Sequence, residues 1–157
     1  MTTAHPTTTL PAEQALLASL VELMQQEQQL LVNADADGLA ALMPQKNQYV
    51  HQLATLSAER HRALANAGFR AGESGMEPWL ATSGTPDARA RWEQLLALTA
   101  QAKELNRVNG MLINKQMAHN QVVLNALRTP AGAADAGVYG PGGTTVAGGP
   151  SRRFVVG

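Results

Sequence analysis

The sequence predicts an all-α fold: an antiparallel three-helix bundle with a long third helix and a flexible Gly/Pro-rich C-terminal tail. Three observations carry that prediction. Apolar residues recur three and four positions apart over three long runs, the spacing that puts them on one face of a helix. Aromatic residues make up only 4% of a 157-residue chain that is 45% hydrophobic, which suits one helical domain rich in Ala, Leu and Gln. Glycine and proline gather between the runs and after the last of them.

The first helix covers Ala12 to Ala34, with apolar residues at 16, 17, 20, 23, 24, 30 and 31. Asp35 to Gly38 interrupt it, and either aspartate can cap the next helix by accepting from the free N–H groups of its first turn. The second helix runs through Leu39, Leu42, Tyr49, Val50, Leu53, Leu56 and Leu64 to Ala67, where Gly68 suits the left-handed position after a helix end. Pro44 lies inside it and should kink the helix or force a restart near Met43. The stretch from Gly68 to Pro86, with four glycines and two prolines, reads as a connecting loop tacked onto the bundle by Trp79 and Leu80. The third helix opens at Asp87 and continues through Trp92, Leu95, Leu98, Leu105, Leu112, Ile113, Met117, Leu124 and Leu127 until Pro130 stops it. Eight of the chain's fourteen glycines follow, in too little apolar surface to offset the cost of ordering them. The expected organisation is therefore a helical bundle over 1–128 and a flexible tail over 129–157.

Composition removes several classes of function. Twelve basic and twelve acidic residues cancel, so no global field favours nucleic acid or anionic lipid. Cysteine is absent, which fits a reducing, cytoplasmic setting and leaves no thiolate chemistry. The first residues lack the basic and apolar segments of a secretory signal, and no apolar run approaches the roughly 20 residues that span a bilayer. The four histidines, at 5, 51, 61 and 119, have no metal-ligand spacing. Glu59, Arg60, His61 and Arg62 fan around a helix and read as a charged face, and GPGGTT lacks the lysine and flanking elements of a phosphate loop. No catalytic, cofactor or metal site is expected, and the chain does not read as an enzyme.

Amides interrupt the third apolar stripe. At about 100° per residue, Asn106, Asn109, Gln116 and Asn120 point the same way as Leu95, Ile113, Leu124 and Leu127. An amide buried there without a partner would cost roughly 1–3 kcal/mol. For Asn106 and Asn109 two readings stand side by side: interhelical hydrogen bonds that fix register, as a lone Asn does in a coiled coil, or part of a binding face. Beyond Gly110 the favoured reading is an exposed, half-polar face that a partner helix completes. At about 1.5 Å per residue the third helix is about 63 Å long against about 35 and 43 Å for the others, so either it breaks or an end of it stands clear. The partner-binding set is then Asn109, Leu112, Ile113, Gln116, Met117, Asn120, Val123, Leu124 and Leu127. Met111 and Met117 are either adaptable contacts or core filler. Charge is also sorted, at −3 over residues 1–34 and +3 over 86–128, so those helices should attract mildly.

Taken in order, ELMQQEQQLL in the first helix, Asp35, Asp37, Leu39 and Lys46 at the start of the second, Trp92 and Leu95, Asn106, Asn109 and Gly110, VLNAL and a closing VYGPGG resemble the FlgN family of flagellar export chaperones. The likeness covers nearly the whole chain. It departs at Pro44 and at the Gly/Pro-rich stretch 68–86. The resemblance implies a cytoplasmic chaperone that binds hook–filament junction proteins (FlgK and FlgL type) before secretion, through the C-terminal part of the chain. It further implies docking at the flagellar export gate membrane protein (FlhA type), a contact that falls on Tyr139. The competing reading is a structural helical bundle that self-associates, as a homodimer through the same face.

Overall fold

The computed structural model describes residues 4–128, and these are helical, with no strand among the described residues. The helices are α1 (Leu10–Val32), α2 (Ala36–Asn66), α3 (Met76–Ser83) and α4 (Pro86–Arg128), with one turn of 3-10 helix at Glu73–Gly75. The all-α prediction holds, but four α-helices stand among the described residues where the sequence predicts three. The tail 129–157 and its Tyr139 lie outside the described residues. The chain divides into two units between Ile113 and Asn114, and of the second only residues 114–128 are described.

Both corners of the α1 and α2 pair are built from chain ends the sequence announces. After α1 the N–H groups of Ala34 and Asp35 turn back to the carbonyls of Leu31 and Leu30, and after α2 those of Gly68 and Phe69 do the same to Ala65 and Leu64. This closure needs a left-handed residue in third place. Gly68 supplies it freely at φ +88°, whereas Ala34 does so at φ 54° against its own Cβ. Asp35 then caps α2, its carboxylate accepting from the N–H of Gly38 at 2.9 Å.

Of the two outcomes expected at Pro44, a kink or a restart, the restart does not occur: α2 is one helix from Ala36 to Asn66. The donor that proline lacks would have met the carbonyl of Ala40, and both residues are exposed, so water can take its place. The stretch 68–86 is not a plain loop, because α3 lies in it. Pro78 is tolerated as the third residue of that helix, where no intrahelical donor is required. Met76, Trp79 and Leu80, three and four apart, are buried on its inner face.

The core of the first unit joins Leu10, Leu17, Leu20 and Met24 of α1 with Leu64 of α2, α3's three buried residues, and Ala88, Trp92 and Leu95 of α4. Full burial of each such leucine contributes about 1.5–3 kcal/mol. Helix directions follow from the polar pairs: Glu13 meets Arg60 and Glu27 meets Lys46, so α1 and α2 are antiparallel. Gln14 meets Gln94 and Glu27 meets Asn109, so this part of α4 runs parallel to α1.

Candidate functional site

Along α1 the inward positions, alternately three and four apart, are Leu10, Glu13, Leu17, Leu20, Met24, Glu27 and Leu31, and all are buried. Two glutamates thus sit in an apolar seam, which is costly unless each is paired and hydrogen-bonded. Glu13 is held by a two-pronged contact with Arg60, from Nε to Oε1 at 2.9 Å and from Nη2 to Oε2 at 3.1 Å. The Thr9 hydroxyl donates to its Oε1 at 2.7 Å. Arg60 also donates from Nη1 to Glu73 Oε2 at 2.7 Å and lies 4.8 Å from the centre of the Trp92 ring. One guanidinium therefore ties α2 to α1, α4 and the 3-10 turn.

Burial works against the charge on Arg60, but hydrogen bonds to Glu13 and Glu73 outweigh it and leave the pKa raised. Glu73 is the outer member, its side chain 60% exposed. Burial would raise its pKa, yet the hydrogen bonds from Arg60 and His61 dominate and hold it below the usual glutamate value.

Two heptads along, Glu27 forms the second node. It accepts from Lys46 Nζ at 2.8 Å and from Asn109 Nδ2 at 2.7 Å. Asn109 also donates to the carbonyl of Met24 at 2.9 Å and is only 2% exposed. It belongs to the interior and leaves the predicted partner-binding set, where the register reading describes it. The paired charges correct two further expectations. Arg60 is not part of a solvated face, and the two buried acids of α1, Glu13 and Glu27, are taken up by α2 and by an amide, not by the cations of α4. The signal was present in the sequence: a glutamate recurring at the inward phase of α1 demands a buried partner, and Lys46 and Arg60 stand at the matching interval on α2.

The remaining predicted residues are placed otherwise. Leu112 is half-buried and Ile113 is 41% exposed, both within the first unit. In the second unit the described residues, 114–128, belong to α4 and are exposed except for Gln116, which is half-buried. Met117, Val123, Leu124 and Leu127 are 63, 41, 50 and 72% exposed. Asn120 is exposed among them. Val122, which the predicted row omits, is 67% exposed on another side of the helix.

Among the described residues no three His, Asp or Glu side chains come together as a metal site. No helix there is long and apolar enough to cross a membrane. One hollow among the described residues, of about 240 Å³, has His5, Glu59 and Arg62 in its lining. The His5 ring is engaged with the Thr7 hydroxyl at 2.7 Å and with the edge of Trp79.

The fold and the site define an all-helical protein with an amphipathic helical segment open to solvent. Comparison with known proteins then sharpens the class. The family model described as FlgN protein matches residues 1–147. The flagella synthesis protein FlgN of Yersinia enterocolitica is 31% identical over 138 residues, covering 87% of this chain and 86% of its own. The protein of the same name from Y. enterocolitica serotype O:8 / biotype 1B gives the same figures, 31% identity over 138 residues with 87 and 86% covered. No solved structure matches. The chain belongs to the FlgN protein family, a family of flagellar synthesis chaperones and not of enzymes.

Proposed function

We propose that the chain binds the hook–filament junction proteins in the cytoplasm before they are secreted, and delivers them to the export gate of the flagellar type III apparatus. The observation that carries this reading is the exposed apolar set Met117, Val123, Leu124 and Leu127 on α4. Apolar side chains at helical spacing are what a groove-and-helix interface uses, and a chaperone must hold its client reversibly. Membership in a family of flagellar synthesis chaperones supports a flagellar client. Ile113, Leu112, Gln116 and Asn120 are taken as further contacts, and Tyr139 as the contact to the gate.

The test is capture of purified junction protein by the full chain. Leu124→Asp with Leu127→Asp should abolish capture while helical circular dichroism is unchanged, because both leucines are exposed. In the same assay Tyr139→Ala should keep the client and lose the gate protein. Undiminished capture by the double leucine variant overturns the reading. So does a closed oligomer, seen by light scattering, that ignores the junction protein.

A further inference from the structure

The apolar set on α4 has a charge signature. Residues 105–128 contain no aspartate or glutamate, in a chain whose acids and bases are equal in number. Lys46, Arg60, Arg89, Arg91 and Arg107 each have a carboxylate partner, whereas Arg62, Arg70 and Lys103 have no ion pair among the described residues, so the absence of any acid across 105–128 is what sets this segment apart. Lys115 and Arg128 pair with no carboxylate among the described residues, and both are exposed. At about 100° per residue, Met117, Val123, Leu124 and Leu127 fall within an arc of roughly 120°. Arg128 borders it beside Met117 and Leu124, and Lys115, with His119 one turn on, lies to the side of Val123.

We propose that residues 114–128 receive an amphipathic helix whose apolar row is bordered by acidic side chains, an inference that rests on the client-binding reading above. An apolar row flanked by cations selects its partner as the edges of a coiled coil do, through opposite charge beside the seam. A second copy fits badly. It would bring the same cations and no acid to a two-fold contact, and on α1 the glutamates Glu13 and Glu27 are already buried against Arg60, Lys46 and Asn109. A lipid surface also fits badly. Membrane-lying helices carry many cations opposite an aromatic or leucine-rich face, whereas this segment has two, and its other polar residues are chiefly amides.

The experiment titrates the full chain with two synthetic helical peptides that share one row of leucines, bordered in one by glutamates and in the other by lysines. At low salt the glutamate peptide should bind about tenfold tighter or more, and the preference should shrink at high salt as the charges are screened. In Lys115→Glu with Arg128→Glu the preference should reverse, with circular dichroism unchanged. Equal binding of the two peptides, binding of neither, or a preference untouched by the reversal overturns the inference. If junction protein is still captured through Leu124 and Leu127 in that case, the proposed function stands and only the charge rule fails. Co-sedimentation with phosphatidylserine vesicles that the reversal abolishes, with no peptide bound, would put a lipid surface in place of the helix.

Discussion

Asn109 and Asn120 lie at nearly the same angle on α4, and they have opposite surroundings. Asn109 is buried, with its amide N–H groups on Glu27 and on the carbonyl of Met24. Asn120 is exposed, among exposed Met117, Leu124 and Leu127. Helical phase therefore fixes the side on which a residue sits but not whether another element covers that side. In the first unit the polar residues of the seam are matched across helices, carboxylate to guanidinium and amide to carboxylate. In the described part of the second unit the apolar residues meet water. The first pattern makes stability and the second makes a surface that can be covered.

Breaking the first pattern should have the largest effect. Arg60→Ala leaves Glu13, 3% exposed, without its cation and takes a planar group off Trp92. Removing one partner of a buried pair costs about 3–5 kcal/mol, because the other charge stays behind. Urea unfolding should show a loss of that size. Arg60→Met with Glu13→Leu should recover most of it, since apolar replacements remove the stranded charge as well. A single variant within about 1 kcal/mol of wild type, the range of a surface pair, would mean that the node is no more than a surface contact.

The contrast also explains what could be read in advance. Helix ends were legible because capping chemistry is local: Asp35, Gly68 and the Pro86 and Asp87 start are each set by two or three neighbours in sequence. The short α3 is hidden in the sequence because the glycines around it and Pro78 within it carry a loop signal. The burial of Met76, Trp79 and Leu80 that overrides this signal comes from other helices. Arg60 carries a surface signal for a similar reason: its partners lie 47 and 13 residues away, beyond any local pattern. Of the site, the periodic apolar residues Met117, Val123, Leu124 and Leu127 were legible from spacing alone. Asn109 remained open between two readings because its partners, Met24 and Glu27, lie on the first helix.

Asn109→Ala sharpens the comparison at a smaller scale. It removes the second donor to Glu27, which keeps its bond from Lys46. Its own Oδ1 is buried without a partner among the described residues, so truncation also removes an unsatisfied acceptor. The expected loss is near the lower end of the 1–3 kcal/mol range, about 1 kcal/mol. Asn120→Ala, exposed at the same phase, should leave the urea midpoint unchanged. Equal losses from the two variants would remove the distinction between covered and open amides.

Glu73→Gln should give the smallest effect and one that depends on pH. The carboxylate is largely exposed, so its contacts with Arg60 and His61 are screened, and pairs of this kind contribute about 0–1 kcal/mol. Its pKa is lower in the folded chain than the ordinary glutamate value, burial being outweighed by those two hydrogen bonds. A depressed folded pKa stabilises the native state at pH above the unfolded value, and that contribution is lost as pH falls through the folded one. The wild type should therefore lead Glu73→Gln by a small margin near neutrality, and the margin should close on acidification below the usual glutamate range. Arg60 keeps Glu13 in the variant, so the buried half of the node should survive. Urea midpoints of the two proteins across this acid range measure the effect. A gap that widens toward low pH would reverse the sign and show that Glu73 is held protonated in the fold.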